Sequence, residues 1–293
     1  MDDDRIEPHP PQSSTSRPPA ACFSPAGQPA DPARSIVLVL IADIADACAL
    51  DWSFVAEGRA QMVATGACEI PAFVRAEALP AFIDDARNLA PLAHRSGGLG
   101  TVYLGFPDES FPPDHPQQWL GQYDVGAVAY DLFPSESPIR RLYEWPELTR
   151  FVAAILGLGE IFHYGDPLGA LNLAVMTDGH QLQWHFDQTD FVVSLAIQDA
   201  DVGGDFEVAP QIRSAGDEHY DDVASVLAGE RDRVVTLPMT PGTLLVFAGR
   251  HSLHRVSPIS GSTPRLVGLF GYDTKPGTMS SELLKEVRYG RKS

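Results

Sequence analysis

Apolar residues recur at helical spacing up to Gly157 and at alternate positions beyond it. In the first part, Asp51 is placed to cap a helix carrying Trp52, Val55, Met62 and Val63, with Gly66 to end it. A short strand around Cys68 and Ile70 follows. Leu79, Phe82, Ile83 and Ala86 form an i, i+3, i+4, i+7 stripe, and Pro80 is tolerated because it falls in the first turn. Residues 91–135 read as loop-rich, with Gly97, Gly98 and Gly100 expected in a mobile loop. Ser137-Pro138 opens another helix and Pro146 restarts it, with Leu148, Phe151, Val152 and Ile155 as its buried face.

After Gly157 the twofold period predicts strands at Glu160–Tyr164, Leu171–Met176, Gln181–Asp187, Phe191–Gln198, Asp205–Val208, Val234–Leu237, Leu244–Ala248 and Arg265–Tyr272. One acidic helix, Tyr220–Leu227, interrupts them, and Gly203-Gly204 reads as a turn. Strands joined by tight turns rather than by helices argue against a Rossmann sheet. The pattern predicts an α+β fold, an antiparallel barrel or jelly roll buttressed by N-terminal helices.

Residues 1–35 form a different region. Eight of the chain's 25 prolines fall before residue 34, among Ser, Gln and Ala. Such a segment buries too little apolar surface to offset its ordering entropy, so a disordered tail is expected there. Residues 36–293 then form one catalytic domain, with a helical buttress over about 51–156 and a barrel over about 160–277.

Charge narrows the range of partners. Lys and Arg number 21 against 39 Asp and Glu, a net charge of −18, which disfavours nucleic acid and anionic membrane surfaces. Cys22, Cys48 and Cys68 form no CxxC pair, so neither a disulfide framework nor a thiolate zinc site is expected. The acidic start lacks a secretory signal's positive charge, and the apolar run 36–42 is too short to span a bilayer. The expected location is the cytoplasm.

The candidate chemistry lies in three pieces. In Gln181-Leu182-Gln183-Trp184-His185-Phe186-Asp187, alternation puts His185 and Asp187 on one face and Trp184 and Phe186 on the other. Alone, a His-x-Asp pair is equally an ordinary amphipathic strand. The segment 249–258, GRHSLHRVSP, offers His251 or His254 to complete a two-His, one-carboxylate set, which leaves coordination positions open as in non-haem Fe(II) oxygenases. Arg265 opens an apolar strand, where it either snorkels to the surface or clamps a carboxylate bidentately inside the barrel.

The runs WHFDQTDFVVSLAIQDADVGGDFEVAP and PGTLLVFAGRHSLHRVSP, followed by Arg265, resemble the Fe(II)/2-oxoglutarate-dependent dioxygenase superfamily, in particular its small-molecule hydroxylases and amino-acid halogenases. The resemblance covers residues 160–277 and implies a double-stranded β-helix. It implies Fe(II) held by His185, Asp187 and His254, with Arg265 on the distal carboxylate of 2-oxoglutarate and O2 as co-reactant. Related halogenases have Gly or Ala where Asp187 stands, so the resemblance favours hydroxylation of a small molecule such as an amino acid or derivative. Desaturation or oxidative cyclisation uses the same triad. A reading of a different class is a non-catalytic jelly-roll metal- or ligand-binding protein. Asn172 is a candidate hydrogen-bond partner of the cosubstrate. Glu207 and Asp190 are candidates to meet a substrate amine, and Arg255 a substrate carboxylate. Each of these is equally well accounted for as a surface or structural residue.

Overall fold

The computed structural model describes residues 43–293, and the Pro-rich tail expected over 1–35 lies outside the described residues. Asp51 accepts the Ser53 N–H at 2.9 Å and begins a turn of 3-10 helix, Trp52–Phe54, which runs into α1 (Val55–Thr65). Gly66, at φ +70°, ends it. Val55 and Met62, seven residues apart, lie along one line of α1 and are partly buried. Val63 sits about 100° further round and is exposed, unlike the apolar stripe expected of it. α2 (Leu79–Leu89) buries Phe82, Ala86 and Leu89. The Ser137 hydroxyl accepts the Arg140 N–H to cap α3 (Pro138–Tyr143), and α4 (Pro146–Leu156) buries Leu148, Phe151, Val152 and Ile155.

The strands are β1 (Ala67–Ile70), β2 (His94–Thr101), β3 (Leu120–Ala129), β4 (Leu171–Met176), β5 (Leu182–His185) and β6 (Val192–Gln198). They continue as β7 (Phe206–Ala209), β8 (Val235–Leu237), β9 (Leu244–Phe247), β10 (Leu253–Val256) and β11 (Arg265–Phe270). All eleven join one curled antiparallel sheet in the order β1-β9-β6-β11-β4-β3-β5-β10-β7-β8, with β2 added beside β3. One arm, β9-β6-β11-β4, faces a second, β5-β10-β7-β8. β3 bridges them, pairing Gly126–Ala129 with β4 and Tyr123 with Leu182 of β5. This is the double-stranded β-helix.

Alternation decides which side chains meet the helices. On β6, Val193, Leu195 and Ile197 join the core shared with Phe82, Phe151 and Ile155, as do Leu171, Leu173, Leu266 and Phe270 of the neighbouring strands. The intervening positions Ser194 and Ala196 point into the curl, and a bulge after Ala196 brings Gln198 opposite Leu266 and turns it to the helix side.

Two features depart from the sequence pattern. Residues 94–129, expected as loop with a mobile glycine cluster, contain the paired strands β2 and β3. The glycines serve close packing there. A Cβ at Gly97 would sit 2.3 Å from Asp124 Oδ1, and one at Gly100 would sit 3.1 Å from the Tyr123 ring. The sequence pattern also lacked a strand at β10 and the C-terminal helix α6 (Glu282–Tyr289), which follows the acidic helix α5 (Tyr220–Leu227). Tyr289 of α6 packs on Ala127 and Ala129 of β3 and on Leu168. Among the described residues no helix is long and apolar enough to cross a membrane.

Candidate metal centre and cosubstrate pocket

His185 ends β5 and His254 lies in β10, and the register of these paired strands sets the two residues directly opposite each other. Their rings lie 4.2 Å apart, centroid to centroid. Asp187, two residues beyond His185, keeps to the same side. One ligand atom from each of His185, Asp187 and His254 falls within 4.8 Å of the others, and His254 Nε2 lies 3.4 Å from Asp187 Oδ2. Of the two histidines open in the sequence, the structure brings His254 into this cluster. His251 sits in the turn before β10, its N–H bonded to the Ala248 carbonyl.

Backbone carbonyls select the tautomer. His185 Nδ1 lies 2.7 Å from the Gln183 carbonyl and His254 Nδ1 lies 2.9 Å from that of Ser252. A carbonyl only accepts, so each Nδ1 carries the proton and each Nε2 presents a lone pair. Burial, and then the charge of His254, push the His185 pKa down to about 4 against the opposing pull of Asp187. The imidazole therefore stays deprotonated near neutral pH, as a metal ligand must be. Tyr123 sets its ring edge-on to His185 at 5.8 Å and donates its hydroxyl to the Thr101 carbonyl at 2.9 Å. Phe247, at 4.9 Å, and Phe206, at 5.6 Å, flank His254. Gly249 leaves room for the carboxylate, since a Cβ there would lie 1.9 Å from Asp187 Oδ2. Two imidazoles and one carboxylate, all on one side of a sheltered point, are a donor set that fits Fe(II).

Arg265 begins β11 and is 7% exposed. Among the described residues its guanidinium forms neither a hydrogen bond nor an ion pair. Burial lowers its pKa to about 10, with Asp199 and Asp205 acting in the other direction from a distance. It therefore stays charged at neutral pH. A buried cation without a partner is costly, and an anion placed against it relieves that cost. Gly204, at φ +78°, makes room for it, because a Cβ would sit 2.9 Å from Arg265 Cδ.

The remaining sequence candidates divide. Asn172 is 6% exposed and on the inner face, and its Oδ1 has no hydrogen-bond partner among the described residues. Glu207 and Arg255 do not reach the inside. They pair across β7 and β10 on the outer face, where Arg231 also binds Glu207 and the Arg255 guanidinium lies 4.8 Å from the Trp184 ring. The substrate roles expected for Glu207 and Arg255 are thus corrected by strand alternation, which turns both away from His254. Asp190 is exposed and paired with Arg250, which also donates to the Gln188 carbonyl. The pair ties the loop after Asp187 to the loop before His254, so Asp190 is engaged by the protein itself rather than free for a substrate amine.

Sequence reasoning missed two inner polar residues. Glu69, Leu245, Ser194, Leu269, Asn172 and Ala129 form one transverse row across six strands. Glu69 Oε1 is buried without a partner, and burial raises its carboxyl pKa. Ser194 is 7% exposed. The signal available was a polar residue interrupting an otherwise apolar strand at an inward position.

Comparison with known proteins bears on the same region. The family described as "HalD: Halogenase D" matches residues 129–288. A search of curated proteins finds no match. Among solved structures, AviO1 from Streptomyces viridochromogenes Tue57 is similar at 19% identity and a TM-score of 0.52, covering 78% of this chain and 99% of that one. The non-heme alpha ketoglutarate dependent carbocyclase SnoK from nogalamycin biosynthesis is similar at 15% identity and a TM-score of 0.50, covering 74% and 82%. A 2OG-Fe(II) oxygenase family oxidoreductase from Burkholderia pseudomallei is similar at 17% identity and a TM-score of 0.49, covering 78% and 95%. With more than half its length matched, the chain belongs to the halogenase D family, on the double-stranded β-helix of the Fe(II)/2-oxoglutarate-dependent dioxygenases.

Proposed function

We propose that this protein is an Fe(II)- and 2-oxoglutarate-dependent oxygenase that hydroxylates a C–H bond of a small molecule, with an amino acid or derivative as the leading substrate class. The observation that carries the reading is the pairing of two unlike demands inside one barrel: a triad of metal donors, and a buried guanidinium with no hydrogen bond or ion pair among the described residues. His185 Nε2, Asp187 and His254 Nε2 would hold the iron. Arg265 would take the distal carboxylate of 2-oxoglutarate in a bidentate grip, which planar guanidinium geometry favours. The Asn172 amide is the candidate for a further hydrogen bond to the cosubstrate. When bound, iron with 2-oxoglutarate and O2 supplies the oxidant for the C–H bond, with release of succinate and CO2.

The chain's own contribution is positional. The Gln183 and Ser252 carbonyls hold the imidazole lone pairs toward one point. Phe206 and Phe247 keep water from His254 on two sides, and the Arg250 bridge fixes the loop that carries Asp187. Asp187 favours hydroxylation over halogenation, because its carboxylate would take the position a halide needs, and it fills the space against Gly249.

The test is anaerobic addition of Fe(II) and then 2-oxoglutarate to the full chain. A weak visible charge-transfer band is expected, followed by succinate release when O2 is admitted. Asp187→Ala should need more Fe(II) to develop the band and should release little succinate. Failure of the wild-type chain to develop the band or release succinate would leave the non-catalytic binding protein as the better reading. Mass spectrometry of an amino-acid panel then reports the outcome on carbon, a gain of one oxygen for hydroxylation or a loss of two hydrogens for desaturation.

A further inference from the structure

Outside the barrel, on the helix side of the first arm, a cavity of about 280 Å³ opens between the end of α2, strands β2 and β4, and the turn joining β4 to β5. Val175, whose side chain points outward with the helix-facing core, forms part of its wall, so a strand separates the cavity from the triad. Three cationic or potentially cationic side chains line it: Arg87, Arg95 and His180.

Among the described residues neither arginine has an ion-pair partner. Arg87 Nε donates to the neutral Gln198 Oε1 at 2.7 Å, and Gln198 Nε2 in turn donates to the Pro264 carbonyl at 2.6 Å. This relay fixes the guanidinium at the cavity rim and leaves its two terminal nitrogens without a partner. Arg95 makes no side-chain hydrogen bond. His180 lies 3.3 Å from the Thr177 hydroxyl through Nε2, while its buried Nδ1 makes no well-formed hydrogen bond among the described residues, the Val175 backbone being the polar group that acts on the ring. Burial and the Arg95 charge hold the His180 ring toward its neutral form, with Asp124 the acid that opposes them.

Arg87 and Arg95, both solvent-exposed, line one small space with His180 and Thr177, and together these residues bring donors in excess of acceptors. We propose that this cavity binds a small tetrahedral oxyanion, inorganic phosphate or the phosphate of a phosphomonoester. Forked guanidinium donors arriving from α2 and β2 suit two edges of such an anion, and its charge would let His180 gain a proton and donate through the nitrogen that is now unpaired. The site is independent of the iron centre and of the reaction proposed above.

Isothermal titration of the full chain with sodium phosphate, at pH 7 and ionic strength held constant with sodium chloride, tests this. Saturable binding at one site per chain is expected. Arg87→Gln and Arg95→Gln should each weaken it about five-fold or more. Arg233→Gln, which removes an exposed charge paired with Asp222, should leave it unchanged. Asp187→Ala should also leave it unchanged, which separates the cavity from the triad. A parallel titration with glycerol 3-phosphate distinguishes an ester, if it binds more tightly, from the inorganic ion. Absence of saturable binding, retention of full affinity in both cavity arginine variants, or its loss in Asp187→Ala would each overturn the proposal. Thermal unfolding of every variant confirms that it is folded.

Discussion

Gly249 and Asp187 share a space that admits only one side chain. A methyl group at 249 would lie 1.9 Å from the Asp187 carboxylate, well inside van der Waals contact, and Asp187 is the more movable partner. Gly249→Ala is therefore expected to turn the carboxylate out of the triad and weaken Fe(II) binding by about 10- to 100-fold, measured by competition against a chromogenic chelator, with little change in circular dichroism. Retention of wild-type affinity would show that the loop yields instead. The free thiols give a second test. Burial pushes the pKa values of Cys48 and Cys68 up to about 12, so iodoacetamide at pH 8 should leave both unmodified until the chain is unfolded. Peptide mass mapping of both states would decide. At this scale His185, Asp187 and Arg265 were legible as candidates, the first two because alternation sets them on one face and the third because it is a charged residue opening an apolar strand. The choice of His254 over His251 came from resemblance, and its geometric cause, a register opposite His185, exists only once β10 is formed. Glu69 and Ser194 stayed hidden because an inward polar position looks the same in sequence as an outward one.

The elements show where alternation suffices and where it does not. β4 and β6 were legible almost to the residue, since their outward positions pack on helices and their inward ones do not. The β2–β3 hairpin was not, because Gly97 and Gly100 carry no apolar pattern and serve to admit Asp124 and Tyr123 of the facing strand. Reading Glu207 and Arg255 as site residues failed for a related reason. The face of β7 depends on its register with β10, and that register sends both side chains outward into a shared ion pair. The pair has its own pH signature. Burial alone would raise the Glu207 pKa, but the hydrogen bonds from Arg255 and then Arg231 outweigh it and hold the carboxyl below its ordinary value of 4.5. A depressed folded-state pKa contributes stability above the unfolded value, and that contribution is lost as pH falls through the folded one. Glu207→Gln should thus lower the melting temperature at pH 7. Its deficit against the wild type should shrink as pH drops below about 4.5, followed by calorimetry from pH 7 to pH 3. A deficit constant across that range would assign the loss to packing rather than to charge.

For the whole molecule, the two arms of the curled sheet divide the chemistry. His185 and His254 belong to the second arm, on β5 and β10, whereas Arg265 and Asn172 belong to the first, on β11 and β4. A cosubstrate gripped by Arg265 and chelating the iron would connect the arms through the interior, in addition to the bridge that β3 already makes. Ligands that bind only the folded chain stabilise it by mass action, about 2.7 kcal/mol at a hundred times Kd. For a domain of this size that corresponds to roughly 5–10 °C in melting temperature. Mn(II), a redox-quiet stand-in for iron, should give one such increment, and 2-oxoglutarate added with it a second. Arg265→Gln should keep the first and lose most of the second, and Asp187→Ala should shrink the first. That asymmetry follows from the placement of the groups on opposite arms, since a guanidinium on β11 contributes nothing to holding the metal. If Arg265→Gln retained the 2-oxoglutarate increment in scanning calorimetry, the buried arginine would not be the cosubstrate's anchor, and the triad alone would have to account for its binding.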